Sequence, residues 1–293
     1  MDKAGAVRRA VPATQCRKNG SHIKEYGNEQ SGWEGPGHRR LHGDRSGLCR
    51  AAGKGGRSLV LVARDAERLE QLAARLRSEA DVGVEILPAD LTKESDVAVV
   101  EQRLAAGDVG LLVNNAGMSL KGGILENEPA AFSRIIALNV TAPTRLAAAA
   151  GKAFVARGGG AIVNVSSVLA LAPEMFEGIY SGTKAYLLNL SQALAAQLKD
   201  KGIYVQAVLP GATRTDLWEK AGRDVNSFPE GMLMEVGDMV DAALIGFDRG
   251  ETITIPPLAD EVQFTAMQNA RLAMAPNLSK SAVAPRYRLP LAG

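Results

Sequence analysis

Cysteine is nearly missing from this chain. Cys16 and Cys49 are the only two in 293 residues, which excludes a disulfide framework and gives no spacing for a thiolate metal site. No apolar run approaches the length of a membrane span. The stretch from Met1 to Cys16 carries basic residues without the continuous apolar segment of a secretory signal. These absences predict a cytoplasmic protein that does not use a membrane. Aromatics are scarce at 4%, yet 46% of the residues are hydrophobic, enough for a sizeable core in one domain. No internal repeat or low-complexity tract interrupts the chain. The net charge of +2 hides an asymmetry: residues 1–57 hold 12 Lys and Arg against 5 Asp and Glu, with all 3 histidines and both cysteines. This Gly- and Arg-rich leader lacks a lysine or arginine block, heptads and an amphipathic period, so neither nucleic acid nor a membrane surface is its expected partner.

From Ser58 onward the pattern is regular. Leu59 to Ala63 is a short apolar run suited to a buried parallel strand, and Leu69, Leu72, Ala73 and Leu76 then recur at helical spacing. Val84 to Leu87 predicts the next strand and Lys93 to Ala105 the next helix. Two further apolar runs, Gly110 to Val113 and Ala161 to Val165, flank a helix carrying Phe132, Ile135 and Ile136. Tyr204 to Leu209 and Thr252 to Ile255 complete the strands, and Val240, Ala243, Leu244 and Phe247 fit a helix between them. Strands alternating with helices predict an α/β fold with a parallel sheet covered on both faces.

Tyr180 and Lys184 stand four apart, so a helix starting near Tyr180 holds a phenol and an ammonium on one face. A free phenol titrates near pH 10, and a neighbouring positive charge favours the phenolate, which makes the pair a usable general acid or base. Tyr-x-x-x-Lys alone occurs often by chance. Its surroundings narrow the reading. Asn114, Asn115, Ala116 and Gly117 close one apolar run, and Asn164, Val165, Ser166 and Ser167 close another. Both fall at the carboxyl ends of strands, where open α/β sheets bind ligands. Together with Asn139 in Leu138-Asn139-Val140, and with Pro210-Gly211 followed by Thr215, these residues make the chain resemble the short-chain dehydrogenase/reductase family over roughly Leu59 to Ile255.

The resemblance implies a Rossmann-like, doubly wound parallel sheet in one domain and an NAD(P)-dependent oxidoreductase that reduces a carbonyl or oxidises an alcohol. It implies that Ser167 binds the substrate oxygen and that Tyr180 exchanges a proton with it. Lys184 then supports the phenolate and binds the nicotinamide ribose, and Asn139 anchors a water leading to solvent. Asp90 and Leu91 correspond to the adenine-contacting pair, Asn115, Ala116 and Gly117 to the adenosine-side wall, and Pro210, Gly211 and Thr215 to the turn beside the nicotinamide. Arg64 stands where NAD-preferring relatives place an acid, and its guanidinium suits a 2′-phosphate, so NADP is expected and NAD is the alternative. Each residue has a structural role to weigh against this. Arg64 can pair with Glu67 or Glu70, Asp90 can cap a helix, Ser167 can cap a strand end, and Asn139 can sit at a helix kink. The family also implies a homodimer or homotetramer.

One family feature is missing. No strand followed by Thr-Gly-x-x-x-Gly-x-Gly, the loop whose backbone approaches the pyrophosphate, occurs in the chain. Moved forward one base, His38 to Arg45 has codon choices that encode Thr-Gly-Ala-Ser-Thr-Gly-Ile-Gly, so a frame change in the coding DNA accounts for the leader. A divergent leader is the alternative. The expected organisation is therefore leader 1–57, catalytic domain 58–256 with a mobile lid at about 216–237, and extension 257–293 with a loosely ordered tail from Asn277. Apolar lid residues such as Leu217, Trp218 and Phe228 predict a hydrophobic substrate, the lid being the kind of long irregular segment that often flanks a site. The lost loop leaves a cofactor-poor pseudoenzyme or interaction protein as a second reading. A sugar-nucleotide epimerase or dehydratase is a third, opposed by Asn114 to Gly117.

Overall fold

The computed structural model describes residues 58–288 apart from 81, 177, 216, 221 and 223. The leader and its expected out-of-frame Gly loop lie outside the described residues. Within them, β1 (Leu59–Ala63) leads through α1 (Ala66–Ala80) to β2 (Val84–Pro88) and α2 (Glu94–Ala105). Next come β3 (Leu111–Asn114), α3 (Pro129–Ile136), α4 (Ala142–Arg157), β4 (Gly160–Val165), α5 (Gly178–Leu198) and β5 (Ile203–Val208). The short α6 (Leu217–Lys220), α7 (Val236–Asp248), β6 (Ile253–Thr254) and α8 (Glu261–Met274) follow.

All strand pairs are parallel, as the alternating pattern predicts. Among the described residues they form two sheets, β1-β2 and β3-β4-β5-β6. No ladder joins β1 to β3, yet one core spans both. Val62 and Leu87 from the first sheet and Leu112 from the second pack on the same cluster as Val97, Val100 and Leu104 of α2 and Leu146, Ala150 and Phe154 of α4. Side chains alternate across each strand. Ile162 faces α4, while Val163 joins Val240 and Ala243 of α7 on the other face. In the first sheet Leu61 points to Leu69, Ala73 and Leu76 of α1.

The helix expected between β3 and β4 is two helices joined by a π-helical stretch, Ala137–Thr141. A wide turn of this kind is a frequent companion of functional sites, and Asn139 sits inside it. β6 has only two residues of the apolar run Thr252 to Ile255. Helix α8 falls where no element was expected, and the tail beyond it holds 3₁₀ turns at Ala275–Asn277 and Pro285–Tyr287. Among the described residues no helix is long and apolar enough to cross a membrane.

Candidate active site

The carboxyl ends of β3, β4 and β5 meet the first turns of α5. Tyr180, Thr183 and Lys184 lie on the buried side of that helix, as the i to i+4 spacing requires. Lys184 Nζ donates to the carbonyl of Val165 at 2.8 Å and lies 5.7 Å from the centroid of the Tyr180 ring. Ser166 Oγ donates to the Lys184 carbonyl at 2.7 Å, and its backbone N–H donates to Val208 at 2.7 Å. These bonds fix the end of β4 against both α5 and β5. Ser167 begins a 3₁₀ turn, and its hydroxyl accepts from the Leu169 N–H at 3.2 Å. The capping role therefore holds for Ser167, which still lines the pocket described below.

Asn139 is 2% exposed and clamps the loop after β3. Its Oδ1 accepts from the Met118 N–H at 2.9 Å, and its Nδ2 donates to the Met118 carbonyl at 2.8 Å and to Thr183 Oγ1 at 3.0 Å. Gly117 sits between two of the expected groups. A Cβ there would lie 3.4 Å from both Asn139 Oδ1 and Lys184 Nζ. At Gly211 the same atom would approach Pro257 Cγ at 3.3 Å.

One cavity of about 590 Å³ gathers most of these residues. Asn115, Gly117, Ser167, Tyr180, Lys184, Pro210, Gly211 and Thr215 line it. Ala116 and Asn139 are not in its lining, although Asn139 touches Thr183 between the two catalytic candidates. Much of the rest of the lining is apolar, with Phe176, Leu217, Trp218, Phe228 and Met232 among others. Its aromatics interlock edge to face: Phe176 with Tyr180 at 5.8 Å, Phe176 with Trp218 at 6.2 Å, and Trp218 with Phe228 at 4.7 Å between centroids. Trp218 Nε1 donates to the Thr213 carbonyl at 2.8 Å, which satisfies its polar edge while the ring packs. The segment read as a lid thus supplies two of the pocket's aromatics, Trp218 and Phe228. Phe176, Thr183 and Pro257 were missed in the sequence. Phe176 stands four before Tyr180, and an aromatic pair at that spacing was the available signal.

Arg64 follows β1, Asp90 and Leu91 follow β2, and all three lie outside this cavity. Arg64 is exposed, and the alternative ion pairs are taken elsewhere: Glu67 accepts from Gln71, and Glu70 pairs with Arg77 at 2.8 Å. Asp90 Oδ1 accepts from Thr92 N and Thr92 Oγ1 at 3.1 and 2.8 Å. It caps the turn before α2, while α2 itself starts at Glu94 with Lys93 as N-cap. Burial works against the Asp90 carboxylate, but the Thr92 hydrogen bonds and the positive charge of Arg64 together hold its pKa below the usual value. Leu91 packs on the main core.

Residues 46–226 match the sequence model of the family described as short chain dehydrogenase. The chain belongs to that family. A short-chain dehydrogenase from Sphingobium yanoikuyae, solved in complex with NADPH, is 50% identical, with 84% of this chain and 96% of that one aligned at a TM-score of 0.81. The bulky-bulky ketone specific alcohol dehydrogenase from Comamonas testosteroni is 44% identical over 85% of this chain and 95% of its own, with a TM-score of 0.78. Among characterised relatives, 17-beta-hydroxysteroid dehydrogenase type 3 of Homo sapiens is 32% identical over 164 residues, 55% of this chain and 53% of that enzyme. The chain therefore spans about half the length of the human relative. As a short-chain dehydrogenase it is a member of an enzyme family, and its parallel sheets with flanking helices are that family's fold.

Proposed function

We propose that this short-chain dehydrogenase is an NADP(H)-dependent oxidoreductase of ketones, or the corresponding secondary alcohols, that carry bulky apolar groups. The observation that carries the reading is the shared cavity, lined by Ser167, Tyr180 and Lys184 together with the apolar Phe176, Trp218, Phe228 and Met232. The NADPH complex of the Sphingobium relative and the ketone specificity named for the Comamonas relative support it.

When bound, the cofactor supplies a hydride to the carbonyl carbon, or takes one from the alcohol. The chain's residues would do the rest. Tyr180 gives its phenolic proton to the substrate oxygen in reduction and takes it back in oxidation. The Ser167 hydroxyl donates a hydrogen bond to that oxygen and orients the carbonyl. Lys184 stabilises the phenolate by its charge, a role supported by the 5.7 Å separation from the Tyr180 ring, and binds the nicotinamide ribose. Asn139 anchors the route by which the proton is replenished from solvent. Asn115, Ala116 and Gly117 would form the adenosine-side wall, and Pro210, Gly211 and Thr215 would run beside the nicotinamide. Arg64 would meet the 2′-phosphate, with Asp90 and Leu91 at the adenine. The segment of about 216–237 would act as the substrate lid of a cytoplasmic, self-associating enzyme.

The test is NADPH oxidation with a series of ketones from acetone to diaryl ketones, using the 293-residue chain and a form with the upstream reading frame restored. Turnover is expected to rise with apolar bulk. The Tyr180→Phe variant is expected to lose about 10²- to 10⁴-fold in kcat while NADPH fluorescence still reports binding within about twofold. If no ketone is reduced by either form, or if Tyr180→Phe retains full activity, the reading fails.

A further inference from the structure

Ser119 puts a hydroxyl in the cavity wall that neither the catalytic candidates nor the expected cofactor residues account for. Along the loop after β3 the lining alternates: Asn115, Gly117 and Ser119 face the cavity, while Ala116, Met118 and Leu120 do not. Side chains alternate in this way along an extended chain. Met118 and Leu120 pack instead with Ile135, Phe176 and Tyr180 in one apolar cluster. Ser119 is therefore presented to the cavity by neighbours that share a cluster with the Tyr180 ring. Its backbone is fixed as well, because Asn139 holds both the N–H and the carbonyl of Met118, at 2.9 and 2.8 Å.

Other hydroxyls of the lining are engaged. Ser166 donates to the Lys184 carbonyl at 2.7 Å, Ser227 to the Asp224 carbonyl at 2.6 Å and Thr213 to the Gly211 carbonyl at 3.2 Å. Ser167 and Tyr180 are assigned to the reacting oxygen, and Thr215 to the nicotinamide. Ser119 Oγ donates to the carbonyl of its neighbour Leu120 at 3.5 Å, against about 2.5–3.0 Å for a good hydroxyl bond. So long a bond contributes little and is readily exchanged for one to a ligand. Ser119 is half-buried in a lining that also includes Leu169, Phe176 and Met232. An apolar group seated against it strips water from the hydroxyl and returns nothing, whereas an oxygen restores the lost hydrogen bond. We propose that Ser119 is a specificity-determining residue that donates a hydrogen bond to a second oxygen of the substrate. The preferred ketones are then bulky apolar ones with a hydroxyl or a further carbonyl on the first or second carbon from the reacting one, a short reach because the neighbours of Ser119 pack with Tyr180. This assignment builds on the ketone reading above. The fixed backbone makes the donor pre-organised, so little ordering opposes the bond.

Two matched pairs of ketones test it: 1,2-diphenylethanone with its 2-hydroxy derivative, and 1,3-diphenylpropan-1-one with its 3-hydroxy derivative. Their Kd values are measured by calorimetry with NADPH present, on the full chain and its frame-restored form carrying Tyr180→Phe, so that binding is read without turnover. The hydroxyketone is expected to bind about 5- to 10-fold more tightly in at least one pair, the worth of one neutral hydrogen bond. Adding Ser119→Ala is expected to bring that ratio close to one while Kd for the plain ketone stays the same or falls. Ser119→Thr, which keeps the hydroxyl, is expected to preserve the ratio. A ratio near one in both pairs with Ser119 in place, or a ratio that Ser119→Ala leaves unchanged, overturns the proposal. Turnover is read separately, with Tyr180 in place. A protein that reduces neither ketone yet shows the Ser119-dependent ratio supports the assignment of Ser119 and counts against the reductase reading alone.

Discussion

Gly160 opens β4 with no room for a methyl group. A Cβ there would overlap the Cγ and Cδ2 of Phe154 and lie 2.9 Å from its Cβ, and Phe154 is fully buried among α2, α4 and β5. Gly160→Ala must therefore displace a core aromatic. The expected cost is about 1–3 kcal/mol, the range for overpacking a well-filled site, read as a lower urea midpoint at unchanged slope. A midpoint equal to the parent's would show that Phe154 yields freely. In the sequence, Gly158, Gly159 and Gly160 look alike as a turn. The structure separates them, because Gly158 takes a φ of 85° to end α4 while Gly160 is needed for close approach. Catalytic candidates were easier to read, since Tyr180 and Lys184 obey helical spacing. Their partners were harder. Thr183, which joins Asn139 to the helix of Tyr180 through the Tyr180 carbonyl at 2.8 Å, has no pattern that distinguishes it from any other threonine.

Between elements, legibility followed the direction in which apolar residues face. β4 and β5 were readable because they are buried along almost their whole length and so are largely apolar. The break at Ala137–Thr141 was not, since a π turn leaves no mark in the period of eight flanking residues. α8 escaped because its apolar residues are interrupted by Gln263, Thr265 and Asn269 and none of them is buried. Polar contacts across elements were equally invisible. One of them ties α2 to α4, the two helices on which both sheets rest: Arg145 Nε and Nη2 donate to Glu101 Oε1 and Oε2 at 2.9 and 2.6 Å. The Arg145 hydrogen bonds, opposed by partial burial, hold the Glu101 carboxyl below its ordinary pKa. A depressed folded-state value means that the stabilisation is present above the unfolded value of about 4.3 and is lost as pH falls through the folded one. Glu101→Gln is accordingly expected to lower Tm at pH 7 and to make little difference at pH 2. Thermal scans at both values check it, and an equal deficit at pH 2 would mean that packing of the side chain, not its charge, is what matters.

At the scale of the molecule, the candidate cofactor residues are divided between two sheets. Arg64 and Asp90 follow β1 and β2, whereas Asn115 and Ser167 follow β3 and β4 of the four-stranded sheet and Tyr180 and Lys184 lie on α5. A dinucleotide that reached from Arg64 to Tyr180 would have to cross the line between β1 and β3, and no hydrogen-bonded ladder joins those strands among the described residues. The shared core of α2 and α4 holds the halves side by side, but it lies on one face and offers no backbone N–H groups to a pyrophosphate. In folds of this kind those donors come from a Gly loop after a strand, and His38 to Arg45, read a base out of frame, has codons able to yield one. We therefore expect NADPH to stabilise the 293-residue chain only slightly. Restoring the frame upstream of Ser58 should let saturating NADPH stabilise it by about 2.7 kcal/mol at 100 times Kd. Thermal shifts of the two forms across an NADPH titration decide between them. Equal, large shifts would mean that the chain grips the pyrophosphate without that loop, and the leader would then have to be read as a working part of the site.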